Sequence, residues 1–199
     1  GNTFKVAFML RALGVPYETR FVDFMQGVTR TPEWRGETNE MGEVPVLDDG
    51  DRRLTQSGVI LTYLAGKHGR FLGETDDERF EALRWLFFDN HKFTSYFASY
   101  RFMKAIGPTA PDPAVMAWLK GRLDNAFGIV DKHLQGRAFL LGKAPTIAGW
   151  TTLYPWSRAS DGGEHANGHT GTDRNVIPAP RRASSRSASR YSGASGFRP

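Results

Sequence analysis

Apolar side chains recur at helical spacing through most of the first 148 residues. In the first such stretch, Val6, Met9, Leu10 and Leu13 fall on one face, and Gly14 and Pro16 follow as helix-ending residues. The same reading predicts helices over 2–13, 57–68, about 76–104 and 114–134. The last two of these follow one another without an intervening strand, so the part of the chain after about residue 76 and before the tail at 157–199 is predicted to be helical.

Strand-forming residues occur only between the first two predicted helices. Positions 17–22 alternate and predict a strand, whereas 23–41 show no sustained period and predict an irregular segment with a helical turn at 32–35. Val44 and the pair at 46–47 are apolar β-formers separated by Pro45, which cannot donate to a ladder. This strand is therefore expected to lie at a sheet edge or to end at the proline.

A hairpin and a helix start follow this strand directly. Asp-Asp-Gly-Asp at 48–51 is a turn signal, 53–55 is a short return strand, and Ser57 precedes the next helix as an N-cap does. A strand edge is thus predicted to face a helix N-terminus. That geometry suits a small extended peptide, which pairs with the backbone of Val44 while its carboxylate meets the Ser57 hydroxyl and the first-turn amides. The alternative is that the hairpin and the helix are architecture alone.

Two dipeptides, Val44-Pro45 and Gln56-Ser57, resemble the signature of the thioredoxin-fold domain of the glutathione transferases. That signature is a cis Val-Pro bond, a β-hairpin, and an acidic or Gln residue followed by Ser at the start of the third helix. The resemblance implies that Pro45 is cis, that Val44 pairs with the cysteinyl backbone of glutathione, and that Gln56 and Ser57 hold its γ-glutamyl end. It extends in order and spacing from Asn2 to Gly142.

The chain begins Gly-Asn-Thr-Phe-Lys-Val, which resembles bacterial and fungal members of the family that read Ser-x-Asn-x-x-Lys-Val. The resemblance implies that a hydroxyl or an Asn at this helix start stabilises the thiolate of glutathione. Hydrogen-bond donors and a helix N-terminus favour the charged form of a thiol, so Asn2 and Thr3 are the candidate catalytic residues. The alternative is that Asn2 is only an N-cap and Thr3 a solvated residue. The family's first strand and thiol-activating Ser, Tyr or Cys, which precede this helix, are not in the sequence.

One residue beside the signature departs from the family pattern. Glu43 occupies the position where many relatives carry Lys, Arg or Gln near the glycine carboxylate of glutathione. A carboxylate at this position repels the carboxylate of the ligand. That part of the binding site is therefore expected to differ from the sites of those relatives.

The helical half is rich in aromatic residues. Gly69–Thr75 is the predicted linker, and Asp76 or Asp77 is the predicted cap of a long helix that carries apolar side chains on more than one face. Such a helix packs in its own domain, meets a second subunit and lines an apolar cleft, with most of its aromatic residues in the core. His91 lies in this helix without a paired nucleophile and is not assigned to the site.

Composition excludes several classes of site. The chain has no Cys, so disulfides, thiolate metal sites and a cysteine nucleophile are excluded, and no metal is expected. No apolar run approaches the ~18 residues of a membrane span and no signal-peptide pattern is present, so a soluble cytoplasmic protein is expected. The net charge of +5 is concentrated in 157–199, where seven Arg oppose three acids. No nucleic-acid partner is expected, although an Arg-rich nucleic-acid-binding tail is a weaker alternative.

The resemblance fades near residue 149. Thr146 matches the residue that caps a buried helix in the family, but Gly149 stands where an Asp completes the capping box, so the helix expected over 146–156 is weakened. Residues 157–199 are low in large apolar side chains and rich in Arg, Ser, Gly and Ala. We expect this tail to be a frame-shifted or disordered sequence.

These observations predict an α/β domain over 1–70, thioredoxin-like and without its first strand, followed by a helical substrate-binding domain over 76–156. By the resemblance, the function is a detoxifying transferase that conjugates glutathione, its co-substrate, to an apolar electrophile as a homodimer. Two alternatives stay open: a glutathione-dependent disulfide oxidoreductase and a non-catalytic glutathione-binding module.

Overall fold

A computed structural model describes residues 1–150 of the chain. Within them lie six α-helices with both ends described, two 3-10 turns, one π-helical segment and one two-stranded sheet. The α-helices are α1 (Asn2–Leu13), α2 (Pro32–Glu37), α3 (Ser57–His68), α4 (Asp76–Phe88), α5 (Thr94–Ala105) and α6 (Pro113–Leu134). The strands are β1 (Val46–Asp49) and β2 (Arg52–Thr55), the 3-10 turns are Phe24–Gln26 and Val28–Arg30, and the π segment is Asp89–Phe93.

The helices predicted from apolar spacing are confirmed. The bounds of α1 and α3 equal the predicted ones, and α6 begins one residue earlier because Pro113 occupies its first turn. Asp112 caps α6 by accepting hydrogen bonds from the amides of Ala114 (2.7 Å) and Val115 (3.4 Å). The irregular segment with a short helix at 32–35 is also confirmed, since α2 covers Pro32–Glu37 after the two 3-10 turns.

The strand predicted at 17–22 is wrong. These residues carry no helix or strand, and Phe21 is 89% exposed. An extended segment becomes a strand only when a neighbouring backbone pairs with it, and within residues 1–150 the single sheet contains β1 and β2 alone. Alternating apolar and polar residues are therefore not enough to make 17–22 a strand, because no described strand lies alongside this segment to form the hydrogen bonds.

The hairpin is present with a shorter turn than the sequence predicted. β1 and β2 pair antiparallel from Val46 opposite Thr55 to Asp49 opposite Arg52, so Asp48 and Asp49 belong to the strand and not to the turn. Gly50 and Asp51 make the connection, and Gly50 has a φ of 60°, which favours glycine at the first position of a two-residue turn.

The predicted long aromatic helix is a continuous helical rod with a π segment in its middle. Thr75 is the N-cap of this rod, and its hydroxyl accepts a hydrogen bond from the Glu78 amide at 3.2 Å. The prediction that Asp76 or Asp77 is the cap is therefore wrong by one or two positions. The Glu78 side chain in turn accepts from the Glu74 amide at 2.7 Å. Thr75 with Glu78 three residues later resembles a capping box, and these two hydrogen bonds place the helix start before the acids.

Fewer of the aromatic residues in this rod are core than the sequence predicted. Trp85 and Phe93 are buried, but Phe80 is 70% exposed and Phe87 71%. The core is built instead from α1, α3, α4 and α6 with the segment after α6. Its buried members are Val6, Met9, Leu10, Ile60, Leu61, Leu64, Ala65, Ala82, Trp85, Leu86, Val130, Leu140, Leu141, Ile147, Ala148 and Trp150. A helix that runs between other elements leaves part of its surface uncovered, and Phe80 and Phe87 lie on that part.

At the end of the described region a helix begins at Ile147. Thr146 directly precedes it, as predicted, but its hydroxyl is buried without a hydrogen-bond partner among residues 1–150, so it makes no capping bond there. The remainder of the helix expected over 146–156 and the tail at 157–199 lie outside the described residues. No helix in the described part is long and apolar enough to cross a membrane.

Candidate functional site

The hairpin register brings the two signature dipeptides together. Val46 is opposite Thr55, so Pro45 and Gln56 directly flank the paired ends of the two strands, and Val44 and Ser57 lie one residue further out. The Val44–Pro45 bond is cis, as the resemblance implied. Neither the amide nor the carbonyl of Val44 is hydrogen-bonded to another described residue. The backbone of Val44 is therefore available for pairing with an extended peptide.

A compact loop fixes the approach to Val44. The buried side chain of Asn39 donates from Nδ2 to the Glu43 carbonyl at 2.9 Å and accepts at Oδ1 from the Met41 amide at 3.1 Å. Gly42 has a φ of 69°, and a Cβ there would lie 2.7 Å from the Thr29 carbonyl oxygen. The loop is thus built around a position that only glycine fills without displacing its neighbours.

Gln56, and not Ser57, is the N-cap residue of α3, so the predicted capping role of Ser57 is wrong. Gln56 has a φ of 64° and a ψ of 116°, a backbone conformation that residues other than glycine rarely adopt. Such outliers concentrate at functional sites. Ser57 is the first helical residue, and its hydroxyl has no hydrogen-bond partner among the described residues.

The N-terminus of α3 offers several unused donors. The Gln56 carbonyl accepts from the Ile60 amide at 3.0 Å, which is the first hydrogen bond of the helix. The amides of Ser57, Gly58 and Val59 have no acceptor within the described residues, and no side chain caps them. These donors and the positive end of the helix suit an anionic group, as a carboxylate is.

Glu43 and Gln56 are in contact across the site. The Gln56 side chain donates from Nε2 to Glu43 Oε2 at 2.8 Å, and the same nitrogen lies 3.1 Å from the sulfur of Met41. Glu43 is exposed and has no cation partner among the described residues. The residue that departs from the family pattern is therefore placed beside a residue expected to hold the ligand.

Asn2 and Thr3 lie in the first turn of α1. Gly1 is the N-cap of this helix and Asn2 its first residue, so the alternative of Asn2 as an N-cap is wrong. Oδ1 of Asn2 is buried without a partner in the described region, and Thr3 is exposed. No hydrogen bond joins either residue to Val44, Gln56 or Ser57 there, although α1 packs directly against α3.

Comparison with known proteins gives the family. Residues 1–66 match the family model described as glutathione S-transferase, N-terminal domain. A solved glutathione transferase family member from Pseudomonas fluorescens Pf-5, with two glutathione bound, is 33% identical, with a TM-score of 0.70 over 81% of this chain and 73% of that chain. The chain belongs to the glutathione S-transferase family. Its N-terminal part is the thioredoxin-like domain of the transferases, with two strands in the described residues, and a helical region follows.

Two further glutathione transferases are similar to this chain over most of its length. Glutathione transferase URE2P5 from Phanerochaete chrysosporium is 26% identical, with a TM-score of 0.75 over 86% of this chain and 77% of that one. Glutathione S-transferase F14 from Arabidopsis thaliana is 28% identical over 156 residues, which are 74% of this chain. The chain spans 61% of the length of that relative.

A polar cluster lies outside the residues that the sequence predicted for the site. Lys5 in α1 is buried against Asp89, with 2.6 Å between Nζ and Oδ2, although the two residues are 84 positions apart. The available signal was a Lys next to Val6, on the face of α1 that otherwise enters the core. Burial raises the pKa of Asp89, and Lys5 and Thr94 act in the opposite direction.

Within residues 1–150, no group of three His, Cys, Asp or Glu side chains is arranged to hold a metal ion. His91 is exposed in the π segment. The described site offers backbone pairing, the donors of two helix N-termini, neutral polar side chains and the Glu43 carboxylate.

Proposed function

We propose that this protein conjugates glutathione, as a thiolate, to an apolar electrophile. The observation that carries the proposal is the hairpin register, which sets the unpaired backbone of Val44 beside the uncapped N-terminus of α3. Glutathione pairs with Val44 through its cysteinyl backbone, and its γ-glutamyl carboxylate meets Gln56, Ser57 and the first-turn amides. Pro45 ends the pairing, since it has no amide hydrogen. The Pseudomonas relative, solved with two glutathione bound, supports glutathione as the ligand.

The thiol of glutathione lies at the first turn of α1 in this proposal. Asn2 and Thr3 donate hydrogen bonds to the sulfur, and the helix N-terminus favours the thiolate over the thiol. The thiol proton leaves to solvent. The sulfur lone pair then forms a carbon–sulfur bond with the electrophile, and the leaving group departs with its own electron pair.

The start of α5 supports an apolar second substrate. The Thr94 hydroxyl lies 2.9 Å from Lys5 Nζ, so α5 begins beside the first turn of α1. Tyr96, Phe97 and Tyr100 follow on α5 and are half-buried. An electrophile bound on these rings is held close to the sulfur, and holding two reactants together lowers the entropic part of the barrier.

The experiment is glutathione-dependent turnover of chlorodinitrobenzene by the full chain. We expect Ser57→Ala to weaken glutathione binding roughly tenfold or more, because a charge-assisted hydrogen bond contributes about 1.5–3 kcal/mol. The control is Ser99→Ala, which removes a hydroxyl that donates to the Ser95 carbonyl within α5. Equal glutathione affinity of parent and Ser57→Ala, with Ser99→Ala also unchanged, would remove Ser57 from the site.

A second candidate reaction is glutathione-dependent reduction of a disulfide. It is favoured by the two glutathione molecules in the Pseudomonas structure, since thiol–disulfide exchange between glutathione and a mixed disulfide brings two such peptides to one site. Reduction of a glutathione mixed disulfide without conjugation of the aromatic electrophile would select this reaction. Glutathione binding without either turnover would instead indicate a non-catalytic glutathione-binding module.

We also propose that the protein is a homodimer. Phe80, Leu83 and Phe87 are exposed and lie three to four residues apart, so they form one apolar stripe along α4. A second copy of the chain covers such a stripe in this proposal. Sedimentation should give the mass of two chains for the parent and of one chain for Phe87→Glu; a monomeric parent would contradict it.

A further inference from the structure

The Lys5 ammonium is buried against polar partners that lie 84 and 89 positions later in the chain. Lys5 is 1% exposed and Asp89 3%. Lys5 Nζ donates to Asp89 Oδ2 at 2.6 Å and to Thr94 Oγ1 at 2.9 Å, and the Thr94 hydroxyl donates to Asp89 Oδ1 at 2.7 Å. Both carboxylate oxygens of Asp89 and the hydroxyl of Thr94 are thus engaged in hydrogen bonds. We name Lys5, Asp89 and Thr94 the Lys5 cluster.

The π segment creates the acceptor side of this cluster. Asp89 begins the segment and Thr94 follows it, and the Thr94 amide donates to the Asp89 carbonyl five residues earlier. In a regular α-helix, residues five apart point about 140° away from each other. The π turn brings them to the same side, where both side chains reach Lys5.

The apolar contacts of α1 determine the position of this helix less closely than the Lys5 cluster does. Val6, Met9 and Leu10 join the apolar core with residues of α3, and apolar contact is non-directional. A buried ion pair, in contrast, requires close geometry, since each charge loses its hydration. Apolar residues of similar volume often stabilise a fold as well as a buried ion pair does, so stability alone does not account for the cluster.

We propose that Lys5 is a positioning residue, which fixes the first turn of α1 against the π segment and so holds Asn2 and Thr3 in place for the thiol of glutathione. The part that concerns the thiol rests on the proposed function. Lys5 follows Thr3 by two residues on the same helix, so a shift of the Lys5 side chain moves the thiol-binding turn. Misplacement of a catalytic group by about 1 Å is enough to reduce a rate by roughly a hundredfold.

The test replaces the whole cluster with apolar residues of similar shape, in the variant Lys5→Met/Asp89→Leu/Thr94→Val of the full chain. Because all three residues are changed together, no charge or hydroxyl of the Lys5 cluster is left buried without a partner. The matched control is Lys120→Met/Asp124→Leu, which removes an exposed ion pair of 2.8 Å within α6. Circular dichroism and cooperative unfolding first establish that each variant folds.

Two measurements then report on position. In the ligand-free protein, we expect the amides of the first two turns of α1 to exchange at least tenfold faster in the triple variant than in the parent or the control. With glutathione bound, ultraviolet absorbance of the thiolate should titrate about one pH unit higher, a tenfold lower ratio of thiolate to thiol at a given pH. The affinity for S-methylglutathione, which has no thiol, should be unchanged.

A folded triple variant with the parent's exchange rates and the parent's thiol titration would overturn the proposal. If the triple variant does not fold, Thr94→Val is measured alone, and it should give about threefold faster exchange; parental rates there would also overturn the proposal. A parent that binds no glutathione contradicts the proposed function, and the exchange comparison still decides whether the cluster holds α1.

Discussion

Gln56 donates its side-chain amide to the Glu43 carboxylate across 2.8 Å, which joins the residue before the Val44 edge to the N-cap of α3. In the proposed complex, both side chains lie next to the bound peptide. Glu43 therefore acts on the ligand in two ways: its charge repels a carboxylate, and it occupies an amide that the ligand would otherwise use. The negative charge of the Glu43 carboxylate has no cation partner among residues 1–150.

We expect Glu43→Lys to strengthen glutathione binding. The substitution removes the repulsion, releases the Gln56 amide and adds a cation, and an exposed ion pair contributes up to about 1 kcal/mol, or roughly fivefold in Kd. Calorimetric titration at low and high salt measures the effect, which should shrink as salt rises. Glu33→Lys, in the first turn of α2, is the control for net charge. Affinity that does not change, or that changes equally in the control, would contradict this role of Glu43.

Replacing one member of the buried ion pair should destabilise the fold strongly. In Lys5→Met the Asp89 carboxylate stays buried without its cation, and such a loss costs about 3–5 kcal/mol. Chemical denaturation measures it as a lower midpoint with an unchanged slope. Lys120→Met breaks an exposed pair and should cost less than about 1 kcal/mol. Similar midpoints for the two variants would show that the buried pair does not contribute to stability.

The hairpin should make stability depend on pH in the acid range. The hydrogen bond from Arg53 lowers the pKa of Asp48, and hydrogen bonds from Lys67 and Tyr63 lower the pKa of Asp49. As the pH falls, the unfolded chain takes up protons before the folded one, so this contribution is present above about pH 4 and is lost as the pH falls through the lowered pKa values.

Thermal unfolding of Asp48→Asn/Asp49→Asn should therefore show a flatter decline in Tm between about pH 4 and pH 2 than the parent shows. Asp51→Asn changes the same residue type in the turn, where no ion pair is present among the described residues, and should follow the parent. Parallel curves for parent and double variant would refute the contribution of these two carboxylates.

Gly42→Ala should destabilise the protein more than Gly50→Ala. Both positions have a positive φ, which costs about 1–2 kcal/mol for a residue with a Cβ. Only at Gly42 does the new Cβ lie 2.7 Å from a backbone oxygen, and overpacking adds about 1–3 kcal/mol. Denaturation of the two variants gives the comparison. Gly42→Ala should also weaken glutathione binding, since the loop that leads to Val44 has to move. Equal stability of both variants would contradict the crowding.

Features that depend on neighbours in sequence could be predicted. The bounds of α1 and α3 follow from apolar spacing within a dozen residues and from Gly14 and Gly69 at their ends. The strand at 17–22 failed because pairing depends on a distant backbone. The cap of α3 was misplaced by one residue because the positive φ of Gln56 is not a conformation that glutamine prefers locally.

In the candidate site, too, residues that are close in sequence could be predicted, and contacts between distant residues could not. Val44, Pro45, Gln56 and Ser57 are within 14 positions of one another and join through one hairpin, so the resemblance was enough to place them together. The Lys5 cluster joins residues 84 and 89 positions apart, and no local pattern gives the partner of a buried lysine. The contact between Glu43 and Gln56 was missed as well, since it depends on the loop conformation that Asn39 and Gly42 impose.

The π segment also sets which way the second half of the rod faces. A π turn accommodates one residue more than an α turn, so the segment Asp89–Phe93 has the effect of a single-residue insertion into a helix that otherwise continues along the same line. Removing one residue from it would rotate all of α5 by about 100° about its axis. Tyr96 would then leave Trp118 of α6, whose ring centre is 5.6 Å away. The aromatic surface of α5 is thus oriented by the length of the chain at this point as much as by the identity of its side chains. A relative that differs there by one residue would turn a different face of this helix toward α6.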